Sequence, residues 1–167
     1  MSPLFMHLLT GEKNMLYKYK TYYNVSGLPE LVKETEYNYA ITPMSSSDKI
    51  IDFMTAHMRA DRETEEYVYV LGLDTKLNPI GVFEISHGTL NTSLISPREV
   101  FQKILMCNAY GFVLVHNHPS GDPAPSKNDD AITQRLKNCS DMLGVVLIDS
   151  IIIGRGVSYS YANSHRL

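Results

Sequence analysis

The apolar and polar residues follow a regular pattern only from about residue 45 onwards. Three later segments have the apolar spacing or the capping residues of helices, and five short apolar or alternating runs are typical of strands. The predicted helices span 45–58, 96–110 and 126–142, and the predicted strands span 66–74, 79–86 and 111–118, with two more inside 144–154. Because strands and helices alternate along the chain, we expect an α/β fold in which a mixed β-sheet is flanked by helices on both faces.

Two of the predicted helices begin with a capping-box pattern. Ser96 is expected to cap the first of them and Glu99 to complete the box, with a proline in the first turn. Ser126 is followed three residues later by Asp129, which is the same arrangement with a shorter acid. Between these helices the run GFVLVHNH, residues 111–118, is apolar up to its histidines, as in a strand that a sheet buries on both faces.

The first 40 residues have a poor periodicity and precede a soft boundary at 37–45. We therefore expect residues 1–40 to form an N-terminal appendage and residues 41–167 to form the main domain. The stretch YKYKTYY, residues 17–23, alternates aromatic and basic side chains, which can stack on bases and neutralise phosphates. An edge strand with one solvated face explains the same stretch, and the sequence favours this second interpretation.

Composition limits the possible classes of function. The 167 residues carry a net charge of −3 with a pI near 6.0, so the whole chain has no electrostatic attraction to nucleic acids or anionic membranes. The apolar run PLFMHLL, residues 3–9, is too short for a membrane span and has no basic residue before it. Cys107 and Cys139 do not form a Cys-x-x-Cys pair. We expect a cytoplasmic protein with two free thiols and no affinity for membranes; its oligomeric state does not follow from the sequence.

Two of the six histidines, His116 and His118, lie one residue apart at the end of the predicted buried strand. Side chains at positions i and i+2 of a strand point to the same side, so these imidazoles can occupy two corners of a tetrahedral metal site. Pro119 then ends the strand, and a loop rich in proline and glycine leads to Asp129 in the first turn of the next helix. From the residues alone, Asp129 is either a third ligand or only the acid of a capping box.

The spacing of these residues resembles the signature of the JAMM (MPN+) metalloproteases. That signature is His-x-His, ten residues, then Asp, with a serine three residues before the Asp, and Ser126 lies at the serine position. The string VHNHPSGDPAPSKND is more similar still to the RadC branch of this superfamily, as are GTLNTSLISPREVF (88–101) and IIIG (151–154). The resemblance covers about residues 41–160 and implies a JAMM/MPN fold, whose architecture is similar to that of the cytidine deaminases.

The resemblance also implies a chemistry. His116, His118 and Asp129 would bind one Zn²⁺ and leave a fourth coordination position open, as in catalytic zinc sites. Glu84, in the segment VFEISHGTL, takes the position of the family's general base, and Ser126 would donate a hydrogen bond to a developing oxyanion. The implied function is the zinc-dependent hydrolysis of an amide bond, peptide or isopeptide, in a peptide or protein substrate of unknown identity.

Two features depart from the RadC pattern. The chain has Asp149-Ser150 where that family usually has Asp-His, so an accessory role of the histidine does not carry over. Residues 1–40 also contain no recognisable helix-hairpin-helix segment, which is the part of RadC proteins best suited to contact DNA.

Other interpretations compete with the hydrolase. The chain could be a non-enzymatic accessory protein in DNA repair or mobile-element biology, as the RadC family and the YKYKTYY stretch suggest. A zinc nucleobase deaminase is excluded because the chain lacks the Pro-Cys-x-x-Cys and His-x-Glu motifs. The remaining four histidines, which are not expected to bind metal, are His7, His57, His87 and His165. Of these, His87 is predicted to point away from the site.

Overall fold

The structure, a computed structural model, describes residues 15–88 and 95–167, which contain one seven-stranded mixed sheet and three helices. The strands are β1 (Leu16–Tyr23), β2 (Pro29–Tyr37), β3 (Tyr67–Leu73), β4 (Pro79–His87), β5 (Gly111–Asn117), β6 (Val146–Ile153) and β7 (Ser158–Ser160). The helices are α1 (Ser47–Met58), α2 (Pro97–Met106) and α3 (Lys127–Leu143). Within these described ranges, none of the helices has the length and apolar character needed to cross a membrane. The predicted α/β class is confirmed.

The strands lie in the order β2-β1-β4-β3-β5-β6-β7. β1 pairs in parallel with β4 and β5 pairs in parallel with β6, whereas the other neighbours are antiparallel. Helix α1 packs on one face of the sheet through Phe53 and Met54. Helices α2 and α3 cover the other face, to which they contribute Val100, Ile104 and Leu136. The predicted arrangement of helices on both faces is therefore confirmed.

The interior strand β5 contributes side chains to both cores of the protein. Val113 and Val115 pack with α1, whereas Phe112 and Leu114 pack with α2 and α3, and all four side chains are fully buried. We call these two sides of the sheet the α1 face and the α2–α3 face. Because side chains alternate between faces along a strand, His116 at the end of β5 belongs to the α2–α3 face.

The segment after α3 differs from its prediction, since it forms one continuous strand, β6, instead of two short ones. Asp149 lies in the middle of this strand and is buried. Its carboxylate accepts hydrogen bonds from the main-chain N–H groups of Ser150 and Ala162 and from the hydroxyls of Ser47 and Ser160. Because these donors satisfy its charge, a buried carboxylate does not interrupt the strand.

The start of α2 also differs in detail. The helix itself and the proline in its first turn are confirmed, but the Ser96 side chain makes no capping hydrogen bond, so the predicted box with Glu99 does not form. The Glu99 N–H donates instead to the Ser96 carbonyl, 3.0 Å away. This main-chain bond of the 3₁₀ type occupies the donor that the serine hydroxyl would have used.

The N-terminal segment forms a hairpin that extends the sheet. The strand predicted at residues 17–23 is confirmed as β1, but its predicted edge position is wrong, because β2 lies outside it. Leu16 is fully buried in the core of the α1 face, and the ring of Tyr19 stacks on Phe83 with 5.8 Å between ring centroids. The division of the chain at residue 40 stays a prediction.

Candidate metal centre

The two motif histidines lie where β5 leaves the sheet. The His118 N–H continues the pairing with β6 by donating to the Ile153 carbonyl, 2.9 Å away, so strand geometry persists through both histidines. The imidazoles of His116 and His118 lie on the same side, with ring centroids 5.0 Å apart and Nε2 atoms 3.2 Å apart. The predicted convergence of the two rings is confirmed.

The loop after the histidines is held against the sheet and fixes one of the rings. The Gly121 N–H donates to the His118 carbonyl, 2.9 Å away, which closes a tight turn. The Gly121 carbonyl packs so closely on Gly154 that a side chain at position 154 would overlap it. His118 Nδ1 lies 2.8 Å from the Asp122 carbonyl and can donate a hydrogen bond to it. That bond leaves the lone pair of Nε2 directed into the cluster.

Asp129 is both a capping residue and a member of the histidine cluster. The Ser126 hydroxyl accepts a hydrogen bond from the Asp129 N–H (3.2 Å), and Asp129 Oδ2 accepts one from the Ser126 N–H (2.7 Å), which together form a capping box. The same carboxylate faces the imidazoles, with Oδ1 3.2 Å from His116 Nε2 and Oδ2 3.6 Å from His118 Nε2. The two interpretations that the sequence left open are therefore compatible, because the capping box positions the carboxylate.

The three side chains fit a divalent metal ion. His116, His118 and Asp129 each offer one donor atom, and these atoms lie within 4.8 Å of one another. Donors about 2.0–2.2 Å from a tetrahedral metal lie about 3.3–3.6 Å apart. The two Nε2 atoms are 3.2 Å apart, and the Asp129 carboxylate approaches them through different oxygens, with Oδ1 3.2 Å from His116 and Oδ2 3.6 Å from His118. Asp129 Oδ1 is buried and accepts no hydrogen bond from the described part of the chain. A buried oxygen of this kind is satisfied when it binds a cation.

The charges of the cluster also favour a cation. Burial raises the pKa of Asp129, but its contacts with the two imidazoles outweigh that effect, so its pKa lies well below the ordinary value. Its carboxylate in turn raises the pKa of His118 above the ordinary value. Asp129 therefore stays ionised although only 1% of it is exposed, and a divalent ion would compensate this buried charge.

Glu84 does not lie in this cluster, which corrects its assignment as the general base beside the metal. It lies opposite Tyr69 of β3, and Tyr69 packs on the α1 face. His116 belongs to the α2–α3 face, so the sheet lies between the two side chains. The Glu84 carboxylate instead contacts Lys18 Nζ at 3.4 Å and His87 Nδ1 at 2.7 Å.

Glu66 is the acidic residue that the structure brings to the cluster, and sequence reasoning missed it. Glu66 immediately precedes β3, which runs antiparallel to β5 with Val68 opposite His116. The start of β3 therefore lies beside the end of β5. Glu66 is 8% exposed and lines a cavity of about 310 Å³ together with Ser126 and Asp129.

The surroundings of Glu66 suit a proton acceptor. Burial raises its pKa, and the electrostatic influence of the neighbouring His116 and His118 opposes that increase. A carboxyl group whose pKa is raised towards neutral pH is better matched to general base and acid catalysis than an ordinary one. The sequence did contain a signal for Glu66, which is the first residue of the strand predicted at 66–74. If that strand pairs antiparallel with the strand at 111–118, Glu66 lies beside the two histidines at the end of the second strand.

Ser126 keeps a hydrogen-bond donor available despite its role as a cap. Its oxygen accepts the capping bond from Asp129, and a hydroxyl that accepts with a lone pair still has its own O–H to donate. Ser126 lines the cavity that also contains Glu66, Ser120 and Asn128. Helix capping and donation to a bound molecule are therefore compatible roles for this residue.

Ser150, which stands in place of the RadC histidine, links β6 to α3. Its hydroxyl lies 3.0 Å from Thr133 Oγ1, and both side chains are buried. Thr133 lies one helical turn after Asp129, so this contact anchors the part of α3 that carries the candidate ligand.

The remaining histidines have other surroundings. His87 contacts Glu84, and the ring of His57 stacks on Phe53 with 5.3 Å between centroids. His165 lies in the C-terminal turn with a positive φ of 53°. His7, the apolar run at 3–9 and residues 89–94 of the resemblance segment that begins at Gly88 lie outside the described residues.

Known proteins are similar to this chain over the region that contains the cluster. Residues 44–166 match the family described as the RadC-like JAB domain. The chain is 44% identical over 124 residues to a UPF0758 protein of Thermotoga maritima, a match that covers 74% of this chain and 54% of that protein. It is 45% identical over 96 residues to a UPF0758 protein of Clostridium kluyveri (58% of this chain, 42% of that protein) and 42% identical over 117 residues to one of Pelobacter propionicus (70% and 50%). The matched segment is thus about half the length of these relatives.

Proposed function

This chain belongs to the family of RadC-like JAB domains, and from that premise we propose that it is a zinc-dependent hydrolase of amide bonds. The proposed substrates are peptides or proteins that contain a peptide or isopeptide bond. One observation carries the proposal: a donor set of two imidazoles and a carboxylate, in which His116 and Asp129 are buried, adjoins a cavity that also contains a second carboxylate and a serine hydroxyl.

The proposed ligands are the Nε2 atoms of His116 and His118 and the carboxylate of Asp129. Zn²⁺ is favoured because two imidazole nitrogens and one carboxylate oxygen at low coordination number suit this ion. When bound, the ion would act as a Lewis acid that polarises a carbonyl and lowers the pKa of a water molecule to about 7.

The residues around the donor set would move the proton and stabilise the developing charge. The Glu66 carboxylate would take a proton from water as the water oxygen bonds to the carbonyl carbon. Glu66 would then give that proton to the leaving nitrogen as the C–N bond breaks, which returns the carboxylate to its ionised state. The Ser126 O–H would donate to the carbonyl oxygen while negative charge develops on it.

Two adjoining cavities offer room for a substrate chain. The cavity that contains Glu66 and a second cavity of about 550 Å³ both include His118 and Pro119 in their walls. A substrate whose scissile bond lies at the donor set would therefore have space for its residues on both sides of that bond.

The proposal is tested with full-length protein purified without chelator. Elemental analysis should find about one zinc ion per chain, and incubation with peptide and isopeptide libraries should give cleavage that chelation abolishes and added zinc restores. Protein that carries zinc at the donor set but cleaves none of these substrates would contradict the hydrolase proposal and favour a non-enzymatic role.

Ser126→Ala is expected to reduce both stability and turnover, and the two losses can be measured separately. Loss of the cap should lower the free energy of unfolding by about 0.5–2 kcal/mol. Loss of the donor to the oxyanion should lower kcat by about 10²–10³-fold in the protein that remains folded. Denaturant unfolding and steady-state kinetics on the same preparation give both quantities.

Ser46→Ala is the matched control for this change. Ser46 caps α1, where its side chain accepts a hydrogen bond from the Lys49 N–H at 3.4 Å, away from the donor set. The control should lose stability and keep its kcat. Ser126→Asp retains a capping oxygen but adds negative charge, so it should not restore turnover. An unchanged kcat in Ser126→Ala would remove Ser126 from the mechanism.

A further inference from the structure

We propose that Asn117, the residue between the two motif histidines, is a positioning residue that holds the Glu66 carboxylate at the donor set. The inference rests on the proposed function, in which Glu66 is the general base. Asn117 does not face the donor set, because the strand period directs its side chain to the opposite side of β5 from His116 and His118. Asn117 acts by binding the main-chain segment that carries Glu66.

The side-chain amide of Asn117 binds the main chain on both sides of Glu66. Asn117 Oδ1 accepts a hydrogen bond from the Tyr67 N–H at 2.7 Å, and Asn117 Nδ2 donates one to the Glu65 carbonyl at 2.9 Å. Asn117 is only 2% exposed, so water does not compete for these bonds. A third bond, from the Gly88 N–H to the Glu66 carbonyl at 3.1 Å, fixes the same segment from the end of β4.

The two Asn117 bonds supply an attachment to β5 that the β3–β5 ladder itself does not give. β3 begins at Tyr67, so Glu66 lies one residue outside the strand. The Asn117 amide extends the connection between β3 and β5 past the end of the ladder. An amide offers a donor and an acceptor at once, which neither alanine nor an ionised aspartate can do. One strand end therefore carries two proposed ligands and also orients the proposed base.

The activity test uses Asn117→Ala in the zinc-loaded full chain. A displaced base slows proton transfer without removing substrate contacts, so kcat should fall by about 10²-fold with little change in KM. Zinc affinity should stay within about tenfold of the wild-type value, because the Asn117 side chain bonds to the main chain of Glu65 and Tyr67 and not to the three proposed ligands. In a Glu66→Gln background the same substitution should cause little further loss of kcat, since both changes act through one carboxylate.

A second measurement does not depend on turnover. Protein labelled with ¹³C at its glutamate carboxyl groups is loaded with Co²⁺, and the paramagnetic shift of the Glu66 carboxyl carbon is recorded by NMR. That shift should be large in the wild type and smaller in Asn117→Ala, whereas the shift of Glu84, on the opposite face, should be the same in both. Asn24→Ala is the control, because Asn24 Oδ1 also accepts main-chain bonds, from Ser26 and Leu28, but in the β1–β2 turn.

Asn117→Asp keeps the shape and the Oδ1 acceptor, loses the donor to Glu65 and adds a negative charge, so it serves as the second variant if alanine impairs folding. An unchanged Glu66 shift in a folded Asn117 variant overturns the inference.

The outcomes also separate this inference from the proposed function. Full activity in Glu66→Gln would contradict the assignment of the base, whereas an inactive Glu66→Gln beside fully active Asn117 variants would contradict only the positioning role.

Discussion

Glu66→Gln is expected to lower kcat by about 10²–10⁴-fold, the usual contribution of a general base, while about one zinc ion per chain remains bound. Glutamine has the size of glutamate and keeps one acceptor oxygen, but it cannot take the proton of water. Zinc should remain because the donor set consists of His116, His118 and Asp129 and does not include Glu66. Steady-state kinetics on any cleaved amide, together with elemental analysis of the same sample, measures both effects.

Glu84→Gln is the matched control, since it makes the same chemical change on the opposite face of the sheet. It should leave kcat and zinc content close to their wild-type values, because Glu84 contacts Lys18 and His87 instead of the donor set. An inactive Glu84→Gln beside an active Glu66→Gln would restore the assignment made from the sequence. Loss of zinc from Glu66→Gln would show that Glu66 is a ligand.

The candidate ligands could be predicted from the sequence because the information that brings them together is local. His116 and His118 lie two residues apart on one strand, and the two-residue period alone directs them to the same side. Asp129 follows after a short loop, at the third position of a helix whose start Ser126 marks. From the residues alone it was either a ligand or a cap, and the resemblance to the JAMM signature made it the third ligand. None of these inferences required the order of the strands in the sheet.

The position of the proposed base could not be predicted in the same way, because it depends on strand order and register. The family resemblance gave Glu84 its role, but β4, which carries Glu84, is separated from β5 by β3. The β3–β4 ladder also contains an irregularity between Val68 and Tyr69. A shift of one residue moves a side chain to the other face, and the apolar neighbours of Glu84 do not reveal such a shift.

The sequences of β1 and β2 show no clear alternation of apolar and polar residues, and the structure explains why. Seven of the nine residues of β2 are exposed, so the strand has no buried face for a pattern of apolar residues to mark. β1 alternates tyrosine and lysine, and after the buried Leu16 its contacts within the sheet include the stacking of the partly buried Tyr19 ring on Phe83. The aromatic and basic character that resembled a nucleic-acid surface is thus partly used within the sheet.

Asp129→Asn is expected to abolish the stabilisation that zinc gives to the folded chain. Asparagine keeps an oxygen that can accept the Ser126 N–H bond, so this part of the capping box survives while the charge of the donor set is lost. In the wild type, free zinc at 100 times its Kd should add about 2.7 kcal/mol to the free energy of unfolding. For a domain of this size that gain raises Tm by about 5–10 °C. The variant should show no such increase at the same free zinc concentration.

Asp130→Asn, the same change one residue later on α3, is the control for this last comparison. Asp130 accepts hydrogen bonds from the Tyr161 hydroxyl and from Arg166, so it ties the C-terminal turn to the helix and does not face the donor set. It should therefore respond to zinc as the wild type does, even if its own Tm is lower. Thermal unfolding of the three proteins at one pH, with zinc buffered or chelated, gives the comparison directly. An equal increase in Tm for Asp129→Asn and the wild type would mean that the ion binds elsewhere, and that Asp129 serves only to begin a helix.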